Sequence, residues 1–357
     1  MTRELIKGNE AIAEAAVRAG CRYFFGYPIT PQNEIPEYMS KRLPEVGGTY
    51  LQAESELAAI NMVYGAAGAG ARVMTSSSSP GISLKQEGIS YIASAKLPCV
   101  IVNIVRSGPG LGGILPAQSD YFQATKGGGH GDYRVVVFAP SSVQEAADLV
   151  MECFEVADQY RVPVMLMGDG MIGQMMEPVE FKEPKKRGLH EKSWATTGRQ
   201  GGERNVISSL HIVAEECYDF CLEREAVYRE IAEKETRCET ELMDDAEIAV
   251  VAYGTVARIA KNAVLKARAA GIKTGLIRPI TLWPFPSDII NDYAKQVNSF
   301  LTVEMSTGQM VEDVRLAVNG QKPVHFFGRT GGIIPTPEEV FNELMKMAEG
   351  EKHENNL

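Results

Sequence analysis

The sequence predicts an α/β protein in which a doubly wound parallel-sheet domain precedes a second, smaller α/β domain. Short apolar runs alternate with helical patterns over residues 8–184, and the alternation recurs over residues 246–350. Strands that are apolar throughout and separated by helices are typical of parallel sheets covered by helices on both faces. With 357 residues, the chain is also long enough to bury two separate cores.

The elements of the first region, residues 1–184, follow from where its apolar runs fall. Strands are predicted at residues 23–26, 50–52, 72–75, 99–105, 134–138 and 162–167. Helices are predicted at residues 8–19, 32–42, 56–67, 83–95, 119–125 and 142–158. Ser142 and Glu145 have the spacing of a capping box, which marks the start of the last of these helices.

The rest of the chain divides near residue 245. Residues 185–245 are predicted to form a linker followed by a charged surface helix over 222–240. In the second domain, residues 246–350, strands are predicted at 247–253, 273–277, 299–304 and 324–328. Its helices are predicted at 256–270, 287–295, 309–318 and 337–350, and residues 351–357 form a frayed tail.

The composition argues against several classes of function. A formal net charge of −10 disfavours nucleic acid as a partner, because phosphates require a basic surface. No run of about 18 apolar residues is present to span a membrane, and residues 1–7 are too polar for a secretory signal. The six cysteines are dispersed without a Cys-x-x-Cys pair. We therefore expect reduced thiols, no metal or iron–sulfur ligation by this chain and a cytoplasmic location.

Two glutamates stand at the start of an unusually apolar helix. From Leu57 to Gly70 every side chain is apolar or small except Asn61. Glu54 and Glu56, two residues apart, would point about 200° apart on a helix, so only one of them can face a pocket. A carboxylate held there could share a proton with a nitrogen base. The alternative is that both are solvated first-turn acids stabilised by the helix dipole.

In an open parallel sheet, ligands bind beyond the carboxyl ends of the strands. Four loops are predicted to lie there: residues 26–33, 53–56, 75–81 and 106–113. Arg106 could bind a carboxylate through two parallel hydrogen bonds, or it could be a solvated loop side chain. The Thr30 hydroxyl could donate to the same anion or cap the helix that follows. The serines at 76–79 could bind phosphate, although turn formation and capping explain such a run better.

Together, these loops resemble those of the 2-oxoacid:ferredoxin oxidoreductases. The resemblance rests on Tyr27-Pro-Ile-Thr-Pro31, Glu54-Ser-Glu-Leu-Ala-Ala59, Thr75-Ser-Ser-Ser-Ser-Pro-Gly81 and Arg106-Ser-Gly-Pro-Gly110. Residues 278–286 resemble part of the transketolase C-terminal-like domain of the same enzymes. The likeness is greatest to the alpha-type, pyrimidine-binding subunit of the branched-chain version, which acts on 3-methyl-2-oxobutanoate. The 2-oxoglutarate version is the alternative.

The resemblance implies that thiamine diphosphate is shared between this chain and a partner subunit. In the family, one domain binds the diphosphate with Mg²⁺ and a different domain presents a glutamate to the aminopyrimidine ring. Gly168-Asp169-Gly170 is similar to the start of the diphosphate-binding motif, but the asparagines that complete that motif are absent from residues 190–202, and the pair Asn355-Asn356 lies in the tail. This chain would therefore supply the pyrimidine half, and Mg²⁺ would lie on the partner.

The resemblance also implies roles for individual residues. Counted back from Gly65, the family's glutamate corresponds to Glu56, with Glu54 as the alternative. Thr30 and Arg106 correspond to the residues that bind the substrate carboxylate. Three further residues are expected to contact the cofactor, namely Tyr27, Pro28 and Ser77.

The expected partners are a diphosphate-binding beta-type subunit, an iron–sulfur ferredoxin-like subunit and a gamma-type subunit, arranged as a dimer of heteromers. Their iron–sulfur clusters would pass electrons to ferredoxin, and coenzyme A would accept the acyl group. The loop after Arg106 carries Leu111, Ile114 and Leu115 and no basic residue before Lys126. Since a 2-oxoglutarate enzyme needs a second cation, this loop favours an apolar 2-oxoacid. The sequence is also compatible with an enzyme that acts on pyruvate and with a non-oxidative thiamine-dependent decarboxylase.

Overall fold

The structure is a computed structural model that describes residues 3–183, 187, 191–198, 202 and 204–354. Parts of the predicted linker and the end of the predicted tail, residues 355–357, lie outside the described residues. No described helix is both long enough and apolar enough to cross a membrane.

Strands and helices alternate along most of the described chain. The strands are β1 Glu4–Lys7, β2 Tyr23–Gly26, β3 Thr49–Gln52, β4 Val73–Ser77, β5 Cys99–Val105, β6 Val136–Phe138, β7 Pro163–Asp169, β8 Met176–Val179, β9 Cys238–Glu241, β10 Ile248–Val251, β11 Thr274–Pro279, β12 Thr281–Trp283, β13 Ser299–Glu304 and β14 Val324–Gly328. The helices are α1 Gly8–Arg18, α2 Glu34–Glu45, α3 Glu56–Gly68, α4 Ser79–Ser94, α5 Tyr121–Thr125, α6 Val143–Tyr160, α7 Gly170–Gln174, α8 Ala214–Glu235, α9 Gly254–Ala269, α10 Ser287–Ala294, α11 Met310–Val318 and α12 Pro337–Glu354.

The larger sheet has seven strands in the order β12-β6-β7-β5-β4-β2-β3. Its strands are parallel except for β12, which joins the edge antiparallel to β6. Every residue of β5 and β7 is buried, and apolar clusters cover both faces of the sheet. This is the predicted doubly wound arrangement. It brings the carboxyl ends of β5, β4, β2 and β3, which are neighbours in the sheet, to one edge.

The smaller sheet has five strands in the order β14-β13-β10-β11-β9, of which only β9 runs antiparallel to its neighbour. Helices α9 and α12 pack on one face and share an apolar cluster with β10 and β13. The opposite face, with α10 and α11, belongs to the same cluster as one side of the larger sheet. The two sheets therefore share buried apolar surface.

An arginine of the motif at residues 278–286 ties the two regions together. Both terminal nitrogens of Arg278 donate to the Glu145 carboxylate, each at 2.9 Å. Glu145 stands in the first turn of α6, which the Ser142 hydroxyl caps as predicted, accepting from the Glu145 N–H at 3.1 Å. Two parallel charge-assisted hydrogen bonds of this kind fix both the position and the orientation of the guanidinium relative to the carboxylate.

Some elements differ from the prediction. Helix α4 begins at Ser79 rather than residue 83, because Pro80 occupies its first turn, where proline is well tolerated. Helix α8 begins at Ala214 and ends at Glu235, so the predicted helix over 222–240 was placed too late. Strands β1 and β8, which pair antiparallel, were not predicted, because no short-range signal links segments so far apart in sequence.

Candidate active site

Four loops meet at the carboxyl edge of the larger sheet. Arg106, directly after β5, donates from Nη1 to the carbonyl of Thr30, at 3.0 Å, in the loop after β2. The Ser76 hydroxyl on β4 donates to Gln32 Oε1 at 2.5 Å. The Ser79 hydroxyl accepts from the Arg106 N–H at 3.0 Å. In the fourth loop, the Ala53 N–H donates to the Gly26 carbonyl at 2.9 Å, so the predicted convergence of these loops is present as direct hydrogen bonds.

The structure separates the two glutamates at the start of α3. Ser55 is the N-cap of the helix and its hydroxyl accepts from the Ala58 N–H at 3.2 Å. Glu56, the first helical residue, is turned inward and is only 6% exposed, whereas Glu54 is exposed. Within the described part of the chain, the Glu56 carboxylate has no hydrogen-bond donor. It is a buried carboxylate with free acceptor capacity, which is costly unless a ligand uses it.

A glycine makes room for this carboxylate. A Cβ atom on Gly81, in the first turn of α4, would lie 2.6 Å from Glu56 Oε1 and 2.0 Å from Ser77 Oγ. Glu56 therefore packs directly against the N-terminal turn of α4, the end of a helix that favours negative charge. Any larger residue at position 81 would displace the carboxylate from this place.

The serines at 76–79 form two pairs that differ in how their hydroxyls are used. Ser76 and Ser79 are used internally, by Gln32 and by the Arg106 main chain. Ser77 and Ser78 are fully buried, and their hydroxyls have no partner among the described residues. Buried hydroxyls without partners are uncommon in folded proteins, so this pair marks a place for polar groups of a ligand.

Arg106 is a buried cation rather than a solvated loop side chain. It is 7% exposed, and its two terminal nitrogens donate to the carbonyls of Thr30, at 3.0 Å, and Leu111, at 2.9 Å. Its Nε has no partner, and no carboxylate of the described residues forms an ion pair with it. Two backbone carbonyls orient the guanidinium without neutralising it, which leaves it free to bind an anion.

Thr30 lines a cavity of about 380 Å³ together with apolar side chains of the loop after Arg106. Ile114 and Leu115 lie in this lining, and both are more than half exposed. Thr30 does not cap α2, whose N-cap is Asn33. Tyr27 and Pro28 are exposed, so their side chains are not part of the buried cluster.

Lys85 is a buried residue of this region that the sequence analysis missed. Its side chain is fully buried, and Nζ donates to Thr75 Oγ1 at 2.7 Å and to the Ser76 carbonyl at 2.9 Å. Burial lowers the pKa of Lys85 to about 7, against the opposing negative charge of Glu56. A signal was available, since Lys85 occupies an inward position between Ile82 and Ile89 on α4.

Asp169 has a structural role. Its carboxylate is the N-cap of α7 and accepts from the Met171 N–H at 2.8 Å and the Ile172 N–H at 3.2 Å. Over the described ranges, no group of three or more His, Cys, Asp or Glu side chains is placed to hold a metal ion.

These features define an α/β protein whose site, at the edge of a parallel sheet, suits a nitrogen base beside a carboxylate. Comparison with known protein families agrees with this description of the fold and the site. Residues 14–240 match the family described as "Pyruvate flavodoxin/ferredoxin oxidoreductase, thiamine diP-bdg", and residues 246–340 match "Pyruvate:ferredoxin oxidoreductase core domain II". The chain belongs to this family of oxidoreductases, which confirms the resemblance and the kind of enzyme inferred from the loops.

Two relatives of this chain are subunits of 2-oxoacid oxidoreductases or synthases. Ketoisovalerate oxidoreductase subunit VorB of Methanothermobacter thermautotrophicus is 51% identical, over 98% of this chain and 99% of its own length. 2-Oxoglutarate synthase subunit KorA of Methanocaldococcus jannaschii is 37% identical, over 95% of this chain and 98% of its own.

Solved structures confirm the fold class. The 2-oxoglutarate:ferredoxin oxidoreductase of Magnetococcus marinus superposes with a TM-score of 0.87 at 22% identity. It covers 97% of this chain, which spans 65% of that longer chain. A split-gene transketolase superposes with a TM-score of 0.60 at 14% identity, over 96% of this chain and 97% of its own.

Proposed function

We propose that this chain is the alpha-type, pyrimidine-binding subunit of a 2-oxoacid:ferredoxin oxidoreductase. The complete enzyme would convert 3-methyl-2-oxobutanoate, coenzyme A and oxidised ferredoxin into acyl-CoA, CO₂ and reduced ferredoxin. The observation that carries the proposal is Glu56, a buried carboxylate that accepts no hydrogen bond from the described residues, at the same sheet edge as Arg106, a buried cation without a counter-ion among them. The 51% identity to a ketoisovalerate oxidoreductase subunit supports the choice of substrate.

The site fits the aminopyrimidine ring of thiamine diphosphate. That ring offers a ring nitrogen to a carboxyl group and further polar atoms to hydroxyls. Glu56 supplies a buried carboxylate, and Ser77 and Ser78 supply unpartnered hydroxyls. Bound there, the cofactor supplies a carbon nucleophile and an electron sink for decarboxylation. Glu56 holds and returns a proton at the ring nitrogen, in a place from which water is excluded. Tyr27 and Pro28 form the rim.

Arg106 and Thr30 bind the substrate carboxylate. Because Thr30 O and Leu111 O fix the guanidinium, its remaining N–H groups are oriented before the substrate arrives. The Thr30 hydroxyl lines the adjacent cavity and donates to the same carboxylate. Fixing this group against Arg106 aligns the bond that breaks when CO₂ leaves.

The cavity favours an apolar side chain on the substrate. Ile114 and Leu115 line it, and so does Glu34, which accepts from Asn9 at 2.8 Å and from Gln174 at 2.9 Å. Although burial acts to raise it, hydrogen bonds from the Glu34 backbone N–H, Asn9, Gln174 and Lys7 hold the pKa of Glu34 below its usual value. Because Glu34 is also paired with Lys7 Nζ at 3.4 Å, this part of the lining presents no unpaired cation for the distal carboxylate of 2-oxoglutarate and leaves a branched alkyl group unaffected.

A partner subunit completes the site. The described residues offer the diphosphate no metal cluster, and Asp169 is engaged as a helix cap. Leu57 on α3, Leu84 on α4 and Leu111 in the loop after Arg106 are 47%, 55% and 82% exposed. Apolar side chains in such positions favour coverage by another protein.

The proposed assembly has several subunits. A diphosphate-binding beta-type subunit with Mg²⁺, an iron–sulfur ferredoxin-like subunit and a gamma-type subunit would form a dimer of heteromers that reduces ferredoxin. Within this chain we retain a pyrimidine-binding domain at 1–184, a linker and surface helix at 185–245 and a transketolase C-terminal-like domain at 246–350. The family matches, which divide between residues 240 and 246, support the boundary near residue 245, while the first match continues through residues 185–240. A cytoplasmic location remains a prediction from the sequence.

Reconstitution under anaerobic conditions tests the proposal. The chain is assayed alone and with its co-purifying partners, with thiamine diphosphate, Mg²⁺, coenzyme A and a viologen dye as electron acceptor. We expect activity only with partners, and a higher kcat/KM for 3-methyl-2-oxobutanoate than for pyruvate or 2-oxoglutarate. A preference for 2-oxoglutarate would contradict the assigned substrate. Decarboxylation without dye reduction by the complete complex would contradict the assigned reaction.

A further inference from the structure

A row of three residues on α4 faces the start of α3. Gly81, Lys85 and Gly88 have the spacing i, i+4, i+7 and therefore lie along one face of the helix. Cβ atoms on the two glycines would lie 2.6 Å from Glu56 Oε1 and 2.5 Å from Ile60 Cγ2. The two helices thus approach closely on both sides of Lys85, which is enclosed beside the glutamate of the proposed site.

Lys85 also anchors the segment that holds the other candidate residues. Its Nζ donates to Thr75 Oγ1 and to the Ser76 carbonyl. Through Ser76 this segment contacts Gln32 in the loop that carries Thr30, and through Ser79 it contacts the Arg106 main chain. The hydrogen bonds of Lys85 Nζ thus go to this segment, through which the lysine acts on the site.

We infer that Lys85 is a positioning residue whose ammonium group biases the proton shared between Glu56 and the ring nitrogen of the cofactor. The inference rests on the proposed function. A positive charge behind the carboxylate stabilises its ionised form, so the shared proton resides more on the nitrogen. No proton enters or leaves in this step; it moves along one hydrogen bond. With the cofactor bound, a proton held on that nitrogen would make the amino group of the ring more acidic, which would assist the proton removal that starts the reaction.

The surroundings of Lys85 determine when the charge is present. Glu56 on α3 and the Cys99 thiol on β5 are the titratable groups that act on it among the described residues. Burial raises the pKa of Cys99 to about 12, so this neighbour is neutral at ordinary pH. Burial lowers the pKa of Lys85 to about 7, so the charge is present in acid and lost in weak alkali.

The first test measures the buried charge without any cofactor. Unfolded Lys85 titrates at its usual pKa of 10.5, whereas the folded residue titrates near 7. Between these values the unfolded chain binds the extra proton, so this residue makes stability rise with pH. Relative to Lys85→Met, the wild-type unfolding constant should fall about tenfold per pH unit over that range. Lys41→Met, at an exposed position of α2, is the matched control and should show no such difference.

The second test measures proton removal in the assembled complex. The exchange of the C2 proton of bound thiamine diphosphate with D₂O is followed from pH 6 to pH 9. Relative to Lys85→Met, the wild type should exchange about tenfold faster at pH 6, the factor that corresponds to one pKa unit, and equally fast at pH 9. Thr75→Val keeps the ammonium and removes one acceptor, so it should retain the wild-type pH dependence.

The outcomes separate the two proposals. If Glu56→Gln leaves the exchange rate unchanged, the proposed function fails, whatever Lys85 does. If Glu56→Gln abolishes exchange but Lys85→Met and wild type keep a constant ratio across the pH range, the proposed function stands and the inference about Lys85 is wrong. Equal losses in Lys85→Met and Thr75→Val would assign Lys85 a purely structural anchoring role and also overturn it.

Discussion

Two buried glutamates, each at a junction between a strand and a helix, differ in how their oxygens are used. Glu304 ends β13 and is fully buried. It accepts from the N–H groups of Gln309, Met310 and Val311 and from the Ser306 hydroxyl, at distances of 2.9 to 3.3 Å. Glu56 begins α3, is nearly as buried, and has no donor among the described residues.

The difference distinguishes a structural carboxylate from one that faces a ligand. The backbone around Glu304 satisfies it and uses it to start α11. Burial raises the pKa of Glu304, and the N–H groups of Met310, Val311 and Gln309 oppose that shift. Glu56 is buried without hydrogen bonds of that kind from the described residues. An unsatisfied group is therefore a better guide to the site than burial alone.

The largest effect should follow the loss of the Glu56 carboxylate. Glu56→Gln cannot exchange a proton with the ring nitrogen, so turnover by the assembled complex should fall on the order of 10²-fold or more. Its thermal stability and its elution with partners should be unchanged. Dye-coupled activity and size-exclusion chromatography measure both. Glu54→Gln, at an exposed site, is the control; if it were the inactive variant, the two roles would be reversed.

Arg106 extends the comparison to a cation. Arg106→Ala should lower kcat/KM for the 2-oxoacid by about 2–4 kcal/mol equivalent, because it removes one member of a buried charge pair with the substrate carboxylate. Arg106→Lys should recover part of the loss, since a point charge replaces the planar donor pair. Steady-state kinetics over a range of substrate concentrations gives the comparison. An unchanged kcat/KM in Arg106→Ala would show that the carboxylate binds elsewhere.

Glu304→Ala should lower stability and leave activity intact, which is the reverse of the effect expected for Glu56→Gln. It leaves the backbone donors at the start of α11 without an acceptor, which costs about 1–3 kcal/mol of unfolding free energy. Urea denaturation of the isolated chain measures the loss. Activity per folded complex should be retained. A stable but inactive Glu304→Ala would mean that a structurally satisfied glutamate also serves the reaction.

The two serine pairs should show the same contrast between stability and ligand binding, with the smallest effects. Ser79→Ala removes the hydrogen bonds to the Arg106 main chain and should cost about 1 kcal/mol of stability. Ser78→Ala removes a hydroxyl that has no partner among the described residues, so stability should not fall. Its effect should appear instead as weaker cofactor binding by the complex, within about tenfold, measured by calorimetry. The opposite assignment of the two effects would contradict the division of the serine run.

Much of the site could be predicted from the sequence because parallel sheets bring successive loops to one edge. Arg106, Thr30 and the serine run are far apart in the chain, but they follow strands that become neighbours. Helical geometry allowed only one of Glu54 and Glu56 to face a pocket, the family spacing counted back from Gly65 pointed to Glu56, and the structure buries Glu56.

Other features depend on long-range packing that no local pattern reveals. Whether Asp169 binds a metal or caps a helix depends on the chain that follows it, which turns into α7. The role of Lys85 requires the close approach of α3 and α4, which two glycines permit. Pro80 was interpreted as part of a turn, although it also suits the first turn of a helix.

The central claim is that this chain holds only the pyrimidine half of a shared thiamine site, and cofactor binding tests it most directly. Thiamine diphosphate with Mg²⁺ is titrated into the isolated chain, into the separated beta-type partner and into their mixture, using calorimetry. We predict tight binding only by the mixture, weakened when the chain carries Glu56→Gln. Tight, Mg²⁺-dependent binding by the isolated chain would contradict the claim, because it would mean that this chain binds the diphosphate itself.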